Sequence, residues 1–245
     1  MVQDMPAIFV RLCSKIIGLA SIGILALVLI IPTVCHAQAD RSPQENIRAF
    51  FRSVIGEWIG TCEQTTDGEP ADNKYFHAVV KQVDDSTFES RFEYFRLDKS
   101  TGAPIRAGET LIVTTLEADG IAKSKITGRG TVLVNNRPKD QVHELSEALI
   151  CAGINGMEGQ GSGTISVSGM PFGLGKNGKI EDSKSAWSLD GEIMTVHQLL
   201  KIGFRALFFT KHFRIAARYT ASRGSDMVGL MKRSSLTAGA DREQI

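Results

Sequence analysis

The chain has 245 residues, with 28 Lys and Arg against 27 Asp and Glu, so its formal net charge is +1. This balance gives no overall field that would attract nucleic acid, and no nucleic-acid partner is expected. Hydrophobic residues make up 42% of the chain. The composition therefore excludes a largely disordered protein and is sufficient for the core of one large domain or two small ones.

Residues 1–39 have the three parts of a secretory signal peptide. Two basic residues precede an uncharged apolar run over 16–31, and a small-x-small site ends at Ala39. We expect cleavage after Ala39, so that the mature chain begins at Asp40. The leader holds two basic residues and one acidic residue, which leaves the mature chain formally neutral. The prediction is an exported bacterial protein, periplasmic or secreted.

A retained membrane anchor and lipid attachment are the two alternatives to cleavage of the leader. A retained membrane anchor needs about 17 to 25 apolar residues, whereas the run over 16–31 is shorter and Pro32 closes it. Lipid attachment would use Cys35, but the residues before Cys35 lack the small residue typical of bacterial lipoprotein signals. Cleavage is favoured, and no stable membrane span is expected afterwards.

Cys62 and Cys151 are the cysteines of the predicted mature chain. In an oxidising compartment they can form one disulfide. On the chain-entropy view, closing so long a loop contributes up to roughly 4 to 5 kcal/mol. Two separate buried thiols are the alternative, because free Cys often packs as a small apolar residue. The disulfide is slightly favoured.

A short amphipathic segment opens the predicted mature chain. Between Pro43 and Ile55, apolar residues recur at helical spacing after a Ser-Pro pair typical of a helix N-terminus. We expect a short helix within residues 40–55. A disordered N-terminus is the alternative.

From Gly56 onward, short β-rich runs alternate with turn signals. Asp119-Gly120 and Asp190-Gly191 are strong hairpin signals, because both central residues of a type I′ turn need positive φ. The pattern predicts nine or ten antiparallel strands over 56–233, in a sandwich or a barrel, with a disordered tail over 234–245. The runs are 56–64, 74–84, 86–97, 109–118, 121–127, 130–134, 185–189, 192–202, 206–221 and 227–233.

Alternation within these runs predicts which side chains are buried. Phe88, Phe92 and Tyr94 share the apolar face of their run, and Phe209 and Phe213 share that of a later run.

Lys211 falls between those last two aromatic residues. Inside a barrel it would hold an anionic headgroup, because an unpaired buried charge is costly. A bulge that turns Lys211 outward is the alternative.

Gly56-Glu57-Trp58 opens the first run, which continues Ile59-Gly60-Thr61. This resembles the Gly-x-Trp start of the calycin superfamily, the lipocalins and their relatives. It is also similar to the Gly-x-Trp-x-Gly strand of small bacterial exported proteins of the DUF1579 type. The resemblance implies an antiparallel up-and-down barrel with a central cavity.

The same resemblance implies a structural role for Trp58. It would lie at the closed end of the barrel under an Arg from a late strand, with Arg214 or Arg218 as candidates. Such a cation–π pair contributes about 0.5 to 2 kcal/mol.

Nine glycines lie between Gly153 and Gly178, and residues 173–178 satisfy G-x-G-x-x-G. A dinucleotide site needs a strand before this pattern and a helix after it. Met170-Pro171 precedes it and a polar stretch follows, so we expect a mobile loop or a pair of glycine-loosened strands.

The histidines of the predicted mature chain lack the spacing that places two imidazoles on one metal, and no G-x-S-x-G motif occurs. We therefore predict no metal, no cofactor and no catalytic residue.

The predicted function is non-enzymatic binding of a small apolar or amphipathic molecule by a monomeric barrel. An enzyme, such as an isomerase or a hydrolase using the same cavity, is the first alternative. A protein-interaction module at the cell envelope is the second. The predicted ligand-binding residues are Phe88, Phe92, Tyr94, Phe209, Lys211 and Phe213.

Overall fold

A computed structural model describes residues 41–98, 101–134, 137–153, 155–170, 174–206 and 208–231. The predicted signal peptide and the tail over 234–245 lie outside the described residues. Helix α1 spans Pro43–Ser53, within the segment predicted to be helical. The strands that follow are β1 (Gly56–Thr66), β2 (Glu69–Gln82), β3 (Thr87–Leu97), β4 (Pro104–Leu116), β5 (Ala122–Val134), β6 (Arg137–Cys151), β7 (Gly156–Val167), β8 (Asn177–Asp190), β9 (Ile193–Arg205) and β10 (Thr210–Arg223).

The ten strands in the described part of the chain form one closed antiparallel barrel. Each strand pairs with its neighbours in sequence, and β1 closes the barrel against β10, from the Trp58–Arg223 pair to the Thr66–Ile215 pair. The predicted up-and-down barrel is confirmed, and the sandwich alternative is excluded, because no strand is left at an edge.

The number of strands agrees with the prediction, but the positions of several strands in the sequence differ from those predicted. No strand was predicted over Arg137–Cys151, yet this segment is β6, paired along most of its length with β5 and β7. The two runs over 121–127 and 130–134 are one continuous strand, β5. Residues 227–231, predicted as strand, are helical. There Asp226 caps the turn, since its Oδ1 accepts from the Gly229 N–H at 2.9 Å.

The glycine-rich segment also forms regular structure. Gly156–Val167 is β7, and Asn177 begins β8 rather than a helix, which agrees with the interpretation of this region as glycine-loosened strands. The helix that a dinucleotide site requires after the glycine pattern is therefore absent from this part of the described structure.

Helix α1 defines the closed end of the barrel. It leads directly into β1 and packs Ile47, Phe50 and Phe51 into the barrel, where each is at most 5% exposed. The ring of Phe51 stacks on that of Phe88, with centroids 5.1 Å apart. Burial of each such side chain contributes about 1.5 to 3 kcal/mol, so this helix acts as an apolar plug. Among the described residues, no helix is long and apolar enough to cross a bilayer.

A second apolar cluster lies nearer the opposite end, which we call the open end. It is formed mainly by β5 to β9 together with the segment before β8, and Phe204 packs edge-on against Phe213 with centroids 5.9 Å apart. The buried members of this open-half cluster are Ile126, Leu145, Ile165, Val167, Leu174, Ile180, Ile202 and Phe204.

Candidate ligand-binding cavity

A cavity with a volume of about 160 Å³ lies inside the barrel. Its wall includes Phe76, Phe92 and Val196 from the cluster near the closed end, and Ile165 and Ile202 from the open-half cluster. An apolar cavity of about 150 Å³ accommodates a molecule the size of benzene. The space is therefore sufficient for a small organic ligand.

The cavity reaches the protein surface near the open end. Arg129 contributes to its wall, yet 75% of the Arg129 side chain is exposed. Lys74 and Gln141, which lie toward the open ends of β2 and β6, contribute as well. A ligand thus has a polar entrance before it meets the apolar wall.

Glycines on the inward face of β7 allow the neighbouring strands and their polar side chains to come close to β7. We call Gly159, Gly161 and Gly163 the glycine face of β7. A Cβ atom at Gly159 would collide with the Ser185 side chain, and one at Gly161 would collide with the backbone of β6. The space that side chains would fill is used instead for close strand packing and for polar groups from β6 and β8.

Two partly buried tyrosines, Tyr94 and Tyr219, carry hydroxyl groups into the cavity. Tyr94 hydrogen-bonds to Thr110 and Tyr219, and Tyr219 hydrogen-bonds in turn to Cys62. Burial raises the pKa of both tyrosines well above the ordinary value of 10, and the neighbouring Cys62 raises each pKa further. Both hydroxyls are therefore protonated at neutral pH and act as hydrogen-bonding groups.

His143 faces the cavity from β6 beside Gly128 of β5. A Cβ atom at Gly128 would collide with the imidazole ring, so this glycine makes room for His143. Burial, together with the nearby charge of Lys74, lowers the pKa of His143 to about 4. The ring is neutral at pH 7, with Nδ1 at 3.2 Å from Gln141 Nε2.

Glu147 contributes a buried carboxyl group to the cavity wall. Its side chain is directed inward from β6, and the residue is 3% exposed. Ser183 donates to Oε1 at 2.5 Å and Ser185 donates to Oε2 at 3.3 Å. The Trp187 indole N–H donates to the Ser185 hydroxyl at 3.2 Å. The resulting network connects β6 to β8 across the glycine face of β7.

The structure brings only part of the predicted ligand site together. Phe92 and Tyr94 contribute to the cavity wall as predicted. Phe88 faces inward but is fully buried against α1, outside the cavity wall. Phe213 packs against the open-half cluster instead.

The remaining two predicted ligand residues lie outside the cavity. Phe209 is 58% exposed in the connection between β9 and β10. Lys211 is exposed near the start of β10, with its Nζ atom 5.3 Å from the centre of the Phe213 ring. The register between β9 and β10 shows no shift, so the bulge that was the alternative is absent too. Lys211 avoids the interior because the strand has reached the rim of the barrel.

Trp58 is fully buried at the closed end under an Arg, but that residue is Arg223 rather than Arg214 or Arg218. The Arg223 guanidinium lies 4.6 Å from the indole centre. It also donates to the carbonyl oxygens of Ser53 and Ile55 at the end of α1. Arg214 and Arg218 are exposed on the outer face of β10, since alternation places them opposite Arg223.

The structure does not join Cys62 and Cys151 in the disulfide that the sequence slightly favoured. Cys62 lies on β1 and Cys151 on β6, which are five strands apart in either direction around the barrel. The Cys151 thiol donates to the Gly153 carbonyl at 3.0 Å. The barrel geometry therefore separates the two sulfur atoms.

Sequence reasoning missed the polar residues of the cavity. Glu147, Ser183, Ser185 and His143 are distant in sequence or belong to segments that gave little strand signal. Only the inward period-two spacing of Ser183 and Ser185 could have pointed to them. Within the described ranges, no group of three or more His, Cys, Asp or Glu side chains is arranged to hold a metal ion.

Comparison with known proteins gives a distant similarity. No family model matches the sequence, and no curated protein matches it. Among solved structures, the crystal structure of Rv2717c from M. tuberculosis is similar over 76% of this chain and 100% of that chain. The two sequences are 12% identical, with a TM-score of 0.43.

Proposed function

We propose that this protein binds a small, mainly apolar or amphipathic molecule in its barrel cavity, without transforming it. The observation that carries the proposal is the cavity of about 160 Å³, with its aromatic and aliphatic wall and its polar entrance. Each 100 Å² of apolar ligand surface buried there would contribute about 2.5 kcal/mol before the costs of association. Such a site is typical of small-molecule binding proteins.

The polar groups of the cavity support recognition of an amphipathic ligand. The hydroxyls of Tyr94 and Tyr219, the neutral ring of His143 and the carboxyl group of Glu147 all border the same space. A few polar groups in an apolar pocket fix the orientation of a ligand and so provide specificity.

We also propose a calycin-like relationship, close to the DUF1579-type proteins. The Gly56-x-Trp58 start of β1 supports it, and so does the Arg223 guanidinium over the Trp58 indole. The basic flank, apolar run and small-x-small site in residues 1–39 support export to the periplasm or the medium. In that location the protein would act as a monomeric carrier or sensor of its ligand.

A pair of neighbouring alanines on β10 tests the proposal. Ala217 is buried and borders the cavity, whereas Ala216 is directed to the outside. The measurement is absorbance titration with 4-nitroanisole, a neutral one-ring dye whose size suits a cavity of about 160 Å³. We expect saturable binding to the unsubstituted protein, at least tenfold weaker binding by Ala217→Phe because the ring fills the cavity, and little change for Ala216→Phe.

The result depends on Ala217→Phe remaining folded, which circular dichroism would establish. If a folded Ala217→Phe variant binds the dye like the unsubstituted protein, or if the unsubstituted protein does not bind it, the cavity is not a ligand site. Native mass spectrometry of protein purified after export adds a second measurement. A co-purifying small molecule that is lost in Ala217→Phe would agree with the proposal.

A further inference from the structure

The deep part of the cavity contains a carboxyl group in an unusual setting. Glu147 lies opposite Ser124 of β5 and Gly161 of β7 in the strand register. A Cβ atom at Gly161 would collide with the Glu147 side chain, and one at Gly159 would come close to its Oε2 atom. The glycine face of β7 thus provides the room in which this carboxyl group is buried.

The hydrogen-bonding partners of Glu147 are neutral. Ser183 and Ser185 donate one hydrogen bond each, and Trp187 orients the Ser185 hydroxyl. A carboxylate offers about four acceptor positions, so these two donors leave part of its capacity unused. None of the ion pairs found in the described part of the chain includes Glu147.

The basic residues of the cavity wall, of which His143 is neutral at pH 7, lie nearer its entrance. His143 precedes Glu147 by four residues on β6, a separation of about 13 Å at 3.3 Å per residue. Lys74 interacts electrostatically with His143, and Arg129 is exposed at the entrance. A buried carboxylate without an opposite charge is destabilising, and a paired cation offsets that cost.

We propose that Glu147, with Ser183 and Ser185 positioning it, is a subsite for the protonated amine of the ligand. The inference rests on the proposed function and refines it, because it names small amphipathic amines as the ligand class. The amine would enter first and pair with Glu147, while the apolar part of the ligand contacts Phe92 and its neighbours.

Two probes of similar shape test this subsite. Benzylamine carries a cationic group where benzyl alcohol carries a neutral hydroxyl, and both match the size of the cavity. Isothermal titration calorimetry at pH 7 would measure each dissociation constant. We expect the unsubstituted protein to bind benzylamine at least tenfold more tightly than benzyl alcohol. Glu147→Gln should reduce that ratio to twofold or less.

Glu144→Gln is the matched control, because Glu144 is exposed on the outer face of the same strand, and it should keep the tenfold preference. Chemical-shift changes at the Ser183 and Ser185 amides on addition of benzylamine provide a measurement that requires no variant. Equal affinity for the two probes, or a preference that persists in Glu147→Gln, would overturn the subsite.

The outcomes separate this inference from the proposed function. If the nitroanisole dye and benzyl alcohol bind but benzylamine has no advantage, the cavity binds ligands and the subsite is wrong. If neither the dye nor either probe binds, both the proposed function and the subsite are wrong.

Discussion

The closed end and the cavity half of this barrel are built from the same alternation of inward and outward residues, yet one is filled and the other is hollow. At the closed end the inward positions carry Trp58, Phe76 and Phe88, each fully buried, and α1 adds three further apolar side chains. In the cavity half, inward positions of β7 carry glycine, which makes room for the Glu147 and Ser185 side chains. The residue types at the inward positions, rather than the alternation, decide where the barrel is filled by apolar side chains and where it holds polar groups beside open space.

The two halves also use polar groups differently. At the closed end, the polar atoms of Arg223 cap the carbonyl oxygens that end α1, so they complete the structure. In the cavity half, Tyr94, His143 and Glu147 border open space. We conclude that stability is concentrated at the closed end and ligand recognition in the cavity half. The following predictions test that division.

The largest expected effect is the difference in stability between a substitution of Trp58 at the closed end and one of Trp187 in the cavity half. Trp58→Ala should lower the free energy of unfolding by about 3 to 5 kcal/mol, because it leaves a cavity in a close-packed cluster. Trp187→Ala should lower the free energy of unfolding by less than half of that amount, because the Trp187 side chain already borders the cavity. Chemical denaturation measures both variants. Equal losses would show that the cavity half is packed as tightly as the closed end.

The second prediction concerns pH and His143. Because its pKa is lowered to about 4 in the folded protein, the unfolded chain binds more protons between about pH 6.5 and pH 4. Stability should therefore fall as the pH falls through this window, by at most about 1.4 kcal/mol per pH unit from this residue.

His143→Gln should remove that part of the slope, as measured by denaturation at a series of pH values. The slope of the unsubstituted protein includes contributions from carboxyl groups, so the comparison is the difference between the two proteins. Identical slopes would show that the ring of His143 is solvated rather than enclosed.

The smallest effect is expected at the Arg that covers Trp58. Arg223→Lys keeps the charge but loses the planar contact with the indole and the paired donation to Ser53 and Ile55. We expect a loss of about 1 kcal/mol. Arg218→Lys, on the outer face of the same strand, should change stability by less than about 0.5 kcal/mol. If the two substitutions have equal effects in thermal denaturation, Arg223 does not secure the closed end.

Local patterns in the sequence predicted the fold class well and the site only in part. Alternation in Thr87–Leu97 correctly placed Phe92 and Tyr94 inward, because a strand covered on one face requires period-two segregation. The same alternation wrongly extended to Phe209 and Lys211, because it carries no information on where a strand passes the rim. Glu147 was missed altogether, since a Glu in a polar segment is ordinarily exposed.

The sequence by itself determined the short amphipathic helix, several antiparallel hairpins and the inward face of strands with clear alternation such as Thr87–Leu97, because these depend on neighbours within a few residues. Only the tertiary structure decided which Arg covers Trp58, that Cys62 and Cys151 lie on opposite sides, and that glycines of β7 make room for Glu147. These features depend on closure of β1 against β10, which sets the distances between residues far apart in the chain.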